Sequence, residues 1–118
     1  MEMSSQLQSR LQRSAERLAA LGQAVRLELV RQLLRAHPDG MVAGALQRAV
    51  DVPASTLSHH LEALARVGLV EQQREGRFQR YRVSEETLRD LLGFLLEECC
   101  TSSKVVPISS LRRTGRSK

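Results

Sequence analysis

The sequence has few aromatic residues and no long apolar segment. Phenylalanine, tyrosine and tryptophan make up 3% of the 118 residues, and tryptophan is absent. This scarcity argues against a reader of single-stranded nucleic acid, which stacks bases on aromatic side chains. No apolar run reaches the roughly 18 residues that a membrane span requires, and the first residues lack the basic-then-apolar pattern of an export signal. We therefore expect a cytoplasmic protein.

Cysteine and histidine are also rare, which limits the chemistry. The three histidines have no matching nucleophile-and-acid arrangement, and no glycine-rich phosphate loop is present. The two cysteines, Cys99 and Cys100, are adjacent, and no histidine in that segment could activate them. The sequence therefore does not predict an enzyme or a required cofactor. We expect the cysteines to be thiols rather than a structural disulfide.

Positive charge is in excess, with 18 Lys and Arg against 13 Asp and Glu, a net charge of +5 and a sequence pI near 10.2. This balance favours an anionic partner. The length predicts one domain, which we assign to residues 1–100. Residues 101–118 carry five basic side chains and no acid, so we expect a flexible tail that adds either nonspecific attraction to DNA or solubility.

The segment from Pro53 to Gly68 predicts a short helix with two different sides. Leu57, Leu61 and Leu64 stack on one side at helical spacing. The other side carries small hydroxyls and an imidazole, and it is slim enough to enter a major groove and hydrogen-bond to base edges. An ordinary amphipathic helix would show the same pattern, so the surrounding sequence has to decide between the two interpretations.

Helical periodicity predicts four more helices, at about 7–21, 24–36, 42–50 and 87–98, the last capped by Ser84. The third lies a few residues before the Pro53 segment, as in a helix-turn-helix. Behind it, residues 69–74 and 78–83 predict a β-hairpin around a Glu-Gly turn. The hairpin carries four arginines, so we interpret it as a wing beside a phosphate backbone rather than a solvated hairpin: Arg74, Arg77, Arg80 and Arg82.

The first and last predicted helices carry more leucine than one small domain needs. A partner helix from a second copy would cover these stripes. Packing within one chain accounts for part of the same pattern. We therefore expect a homodimer formed through the first and last helices.

Four strings, at residues 18–30, 55–64, 68–70 and 74–81, resemble those of the ArsR family of small bacterial metal- and metalloid-responsive repressors. The resemblance covers about residues 15 to 98. It implies a mainly α winged helix-turn-helix with a small β-hairpin, and a homodimer that leaves its inverted-repeat operator when an inducer binds. It also implies a set of DNA contacts, in which His60 is partly structural: Ser55, Thr56, Ser58, His59, His60, Arg74, Arg77 and Arg80.

Most ligand sites of this family are absent from the chain. The segment Met41–Leu46, at the start of the third helix, offers no thiol or imidazole. Asp90, Glu97 and Glu98 are present on the last helix, but no histidine follows His60. We therefore do not expect a zinc site there.

The pair Cys99 and Cys100 resembles the paired cysteines that arsenite-responsive members carry in the last helix. A direct disulfide is disfavoured, because consecutive Cα atoms lie about 3.8 Å apart. A thiophilic atom between the sulfurs has no such restriction. Those members commonly add a third cysteine, which this chain lacks. Two sulfurs suit a trivalent organoarsenical such as methylarsenite, or arsenite with an oxygen ligand, and antimonite is a further candidate.

The sequence therefore predicts a DNA-binding repressor that is released by a trivalent arsenical bound at Cys99 and Cys100. Two alternatives stay open. One is a winged-helix regulator that responds to another thiophilic ligand or to no metal, with the cysteines as two small apolar residues at a helix end. The other is a dimerisation module whose winged helix binds protein. DNA affinity that falls steeply with salt would argue against the second alternative.

Overall fold

The computed structural model describes residues 4–99, which form five helices and a three-stranded sheet. In chain order the elements are α1 (Ser5–Leu21), α2 (Ala24–Arg35), β1 (Met41–Val42), α3 (Ala43–Val50), α4 (Ala54–Arg66), β2 (Val70–Glu75), β3 (Phe78–Val83) and α5 (Glu85–Leu96). Every predicted helix and both predicted strands are present, with ends within two residues of the expected ones. Cys100 and the predicted tail at 101–118 lie outside the described residues.

The short strand β1 was not predicted. Met41 pairs with Tyr81 and Val42 with Arg80, so the antiparallel sheet has the order β1-β3-β2. Val42 therefore belongs to this strand and does not begin the third helix. The preceding residue, Gly40, has φ +76°, and a Cβ there would lie 2.1 Å from the Tyr81 carbonyl oxygen. Only glycine permits this approach, which joins the hairpin to the helices.

The core consists mainly of leucines, which α2, α3 and α4 bring together. Tyr81 and Val83 of β3 complete it, while the alternate residues Arg80 and Arg82 lie on the other side of the strand and stay partly exposed. This alternation was predicted and is confirmed. The largest fully buried side chains are Leu29, Leu33, Leu46, Leu61, Leu64, Leu69 and Leu91.

Hydrogen bonds fix the end of α4 and the start of α5. The N–H of Gly68 donates to the Ala65 carbonyl at 3.0 Å, and the N–H of Leu69 donates to the Leu64 carbonyl at 3.1 Å. With Gly68 at φ +82°, this is a Schellman motif, which sends the chain directly into β2. The predicted cap of the last helix is confirmed, because the Ser84 hydroxyl accepts from the backbone N–H of Thr87 at 3.3 Å.

Several leucines of α1 and α5 lie outside the core, although Leu21 and Leu88 pack against it. α1 buries Ser14 and Ala20, and α5 buries Leu91. Five leucines on these two helices are 39–49% exposed: Leu7, Leu11, Leu18, Leu92 and Leu95. The predicted apolar stripes are thus partly uncovered in a single chain. No helix within residues 4–99 is long and apolar enough to cross a membrane.

Candidate nucleic-acid interface

One side of α4 is held by the core and the other is open. Leu57, Leu61 and Leu64 are buried. The opposite side, called the reading face below, has three exposed side chains and one half-buried side chain, as predicted: Ser55, Ser58 and His59, with Thr56 half-buried. Hydroxyls and an imidazole on a slim helix can donate to and accept from base edges.

His60 does not belong to the reading face, which corrects the expected DNA contact. Its side chain is 7% exposed, and its Nδ1 accepts a hydrogen bond of 3.1 Å from Nε of Arg26 on α2. Burial lowers the pKa of His60, and the charges of Arg26 and His59 lower it further. A neutral imidazole is needed to accept this bond. His60 therefore holds the recognition helix α4 against α2.

The arginines of the wing, formed by β2 and β3, fall into two groups. Arg74 and Arg77 are exposed, as a phosphate contact requires. Arg80 instead donates from Nε to Glu75 at 2.9 Å and from Nη1 to the Asp39 carbonyl at 3.3 Å. Arg80 thus stabilises the wing from within, and the structure does not place it among the exposed contacts that were expected.

Arg82 is also held within the wing. Its guanidinium donates to Gln73 and lies 4.0 Å from the carboxylate of Glu75. Together with Arg80, it balances the negative charge of Glu75.

Phe78 is a surface residue that the sequence analysis did not select. It is 59% exposed, more than any other large apolar side chain in the described part of the chain. It follows the two-residue turn Gly76-Arg77, where Gly76 has φ +62°. The alternation of side chains along β3 could have predicted this exposure. Phe78 is three residues before the buried Tyr81, so the two side chains lie on opposite faces of the strand.

Arg17 of α1 joins three helices. Its Nη1 binds Asp90 of α5 at 3.0 Å, and its Nε donates to the carbonyl of Val67 at 3.3 Å. Val67 is the C-terminal cap of the recognition helix. The Arg17 side chain is 13% exposed, whereas that of Asp90 is 48% exposed, so only the arginine side of this link is shielded from water. Arg17 therefore connects α5 to the end of α4.

The last turn of α5 is tied to α1 by a second arginine. Arg10 binds Glu97 at 3.0 Å, and its guanidinium lies 4.8 Å from the centre of the Phe94 ring. Two residues further, Cys99 is exposed, and its thiol lies 3.6 Å from the carbonyl oxygen of Leu96. Within residues 4–99, no group of three or more His, Cys, Asp or Glu side chains could hold a metal ion.

Comparison with known proteins agrees with this geometry. A family model described as a helix-turn-helix domain matches residues 21–73. The chain matches no curated protein in a comparison of sequences. Among solved structures, it is similar to a homodimeric winged helix-turn-helix DNA-binding domain of a possible ArsR-family regulator from Mycobacterium bovis. The TM-score is 0.64 and the identity 27%, over 86% of this chain and 94% of that one.

Two further structures are similar over nearly the whole described region. An ArsR-like transcriptional regulator from Rhodococcus sp. RHA1 has a TM-score of 0.64 and 28% identity, covering 89% of each chain. The transcriptional repressor BigR from Xylella fastidiosa has a TM-score of 0.61 and 27% identity, covering 86% of this chain and all of that one. The fold is that of a winged helix-turn-helix DNA-binding domain. The chain is thus similar in sequence and fold to transcriptional regulators of the ArsR type.

Proposed function

We propose that two copies of this chain form a cytoplasmic repressor that leaves its operator when a trivalent arsenical binds Cys99 and Cys100. The proposal has three parts, which are dimerisation, operator binding and release. Each part is supported by different residues. The observation that carries the proposal is the Arg17 link between α5 and the end of the recognition helix.

Dimerisation is supported by the uncovered leucines of α1 and α5. Leu95 is 49% exposed and Leu11 45% exposed, although such side chains gain about 25 cal/mol for each Å² of apolar surface removed from water. The similar domain from Mycobacterium bovis is homodimeric. Pairing of two copies through α1 and α5 would bury these leucines and fix the separation of the two recognition helices.

Operator binding follows from that fixed separation. Two recognition helices related by a two-fold axis suit an inverted repeat whose half-sites lie about 34–36 Å apart, one turn of the double helix. The reading face would enter the major groove, and Arg74 and Arg77 of the wing would follow the phosphates. The net charge of +5 favours this association.

Release would begin at the end of α5. Two thiols that bind methylarsenite each lose a proton, the two hydroxyl groups leave arsenic as water, and the methyl group keeps the third valence. Two As–S bonds then constrain the chain after Glu97, whose carboxylate Arg10 holds at 3.0 Å. Cys100 lies outside the described residues, so this site is inferred from the sequence and from the position of Cys99.

The Arg17 link would carry this constraint to the recognition helix. Asp90 and Glu97 are both on the α5 segment and are both held by arginines of α1. Because Arg17 also binds Val67, a shift of α5 relative to α1 moves the C-terminal end of α4. A small change in the separation of two recognition helices costs much specific affinity, since both half-sites must be contacted together.

Anisotropy of a labelled promoter fragment tests the proposal. Arsenite, methylarsenite, antimonite, zinc and an oxidant are titrated side by side against the protein–DNA complex. We expect release by the trivalent arsenicals, and we expect Cys99→Ser to bind the fragment normally but to resist release. Release of Cys99→Ser by the same arsenical would place the sensing site elsewhere.

The same titrations separate the alternatives. Release by another thiophilic ligand alone would indicate a different inducer at the same thiols. Affinity for duplex DNA that does not fall steeply with salt would indicate a protein-interaction module.

A further inference from the structure

We propose that Phe78 at the tip of the wing enters the minor groove as an apolar wedge that partly unstacks one base step beside the operator. The regulator would then read the deformability of that step in addition to the bases under the reading face. This inference rests on DNA binding by the proposed repressor and does not depend on the arsenical site.

The position of Phe78 supports this role. Each strand of the wing has six residues, so the hairpin extends by about 20 Å at roughly 3.3 Å per residue. Its turn has only two residues, Gly76 and Arg77, and nothing lies within 4 Å of a Cβ built on Gly76. An uncrowded tip of this kind can bring a single side chain into a groove about 6 Å wide.

The charges around Phe78 also favour DNA. Arg77 directly precedes Phe78, and Arg74 pairs with Gln79 one residue further along the hairpin; both arginines are exposed. The acid directly opposite Phe78 is Glu75, and Arg80 binds its carboxylate at 2.9 Å. The negative charge nearest to the ring is therefore balanced, and the free charges beside it are positive.

An exposed aromatic ring at a tip that also carries exposed arginines matches what minor-groove proteins use. Arginine side chains follow the negative potential of a narrow minor groove, and apolar side chains inserted between base steps kink the duplex. The other described aromatic residues are already in use, since Tyr81 is buried and Phe94 packs against Arg10. A second copy would cover the leucines of α1 and α5. The wing is a separate element, so this pairing would not account for the exposure of Phe78.

Duplexes selected by the wild-type protein from a randomised pool provide the probe. In a selected duplex, the step next to each recognition half-site is changed between TA, which unstacks easily, and AA, which is stiff. We expect the wild type to prefer TA. We expect Phe78→Ala to lose this preference and to bind the TA duplex about tenfold more weakly, the order of one lost base-stacking contact.

Two variants control for general effects. Phe78→Leu keeps an apolar wedge and should retain most of the preference. Leu27→Ala removes an apolar side chain that is 48% exposed on α2, and it should change neither affinity nor preference. Fluorescence of 2-aminopurine placed at the step should rise when wild type binds and should stay low with Phe78→Ala, because only an unstacked base fluoresces strongly.

Each outcome of these experiments either supports the wedge proposal or overturns it. Equal affinities and equal step preference for wild type and Phe78→Ala would overturn the wedge and leave the repressor proposal intact. The same conclusion would follow if Leu27→Ala lost as much affinity as Phe78→Ala. Failure of the wild type to select any duplex would overturn both.

Discussion

Nε of Arg26 on α2 donates a hydrogen bond of 3.1 Å to Nδ1 of His60 on the recognition helix. This contact makes the stability of the protein depend on pH, because burial lowers the pKa of His60 in the folded state. As the pH falls through 6.5, the ordinary pKa of histidine, the side chain of residue 60 binds a proton more readily in the unfolded chain than in the folded chain. The free energy of unfolding should therefore decrease on acidification from pH 7.5 to pH 5.5.

Urea unfolding at several pH values measures this dependence. His60→Gln should reduce the loss of stability on acidification, because the titrating group is gone. His59→Gln is the matched control, since His59 is adjacent but exposed, and its loss on acidification should resemble that of the wild type. A pH profile of His60→Gln that is identical to the wild type would show that another group is responsible.

Arg17 should couple the end of α5 to DNA binding. Arg17→Gln removes the ion pair with Asp90 at 3.0 Å and weakens the bond to Val67 at 3.3 Å. We expect the variant to bind promoter DNA but to respond less to methylarsenite. A ratio of affinities without and with inducer of about 10 to 100 in the wild type, typical of allosteric coupling, should fall towards one.

The control for Arg17 is Arg89→Gln. Arg89 is also on α5, but it pairs with Glu85 one turn away on the same helix, and the other partner of Glu85 is His37, which lies after α2 and belongs to neither α1 nor α4. Its inducer ratio should stay that of the wild type. An unchanged ratio in Arg17→Gln would exclude this arginine as the link.

Arg77 and Arg80 should behave differently although both are arginines of the wing. Arg77→Ala removes an exposed charge, so the slope of log affinity against log salt should decrease by about one for each lost phosphate contact. Arg80→Ala breaks the bonds to Glu75 and to the Asp39 carbonyl, so it should lower the free energy of unfolding. Salt titrations and urea unfolding of both variants would separate these effects, and the reverse pattern would contradict the assignment.

Leu95 should be needed for dimerisation. Leu95→Lys places a charge on the apolar surface of α5, where the leucine is 49% exposed in the single chain, and a buried unpaired charge opposes association. We expect a monomer in sedimentation equilibrium and a large loss of operator affinity, because only one half-site can then be held. Leu27→Lys, at a 48% exposed position of α2, should remain a dimer. A dimeric Leu95→Lys would move the interface elsewhere.

Local patterns predicted the elements because each of them depends on near neighbours in the chain. The leucine spacing of 53–68 predicts the recognition helix. The glycine at 76 predicts the hairpin, although the turn residues are Gly76 and Arg77, one position further than the predicted Glu-Gly turn. The same leucine spacing also predicts that His60 is buried. It lies three residues after Leu57 and four before Leu64, so it falls on the apolar side of the helix. The resemblance of the segment to a family recognition helix instead implied a DNA contact at this histidine.

Other features depend on contacts that no local pattern contains. β1 has two residues, too few to show alternation, and it exists because Gly40 brings the chain against Tyr81. Arg17 meets Asp90 and Val67, which are 73 and 50 residues away in the chain. Such partners are known only once the helices are packed.

The placement of Arg17 on a helix with outward-facing leucines has a genetic consequence. In the proposed dimer, the helix that would meet the second copy also carries the arginine that binds the end of the recognition helix, so an altered subunit would impair the whole pair. In a cell that makes both wild-type and Arg17→Gln chains, most assemblies would contain at least one impaired subunit. We therefore expect such an allele to be dominant over the wild-type allele, so that the controlled promoter stays repressed in the presence of arsenical.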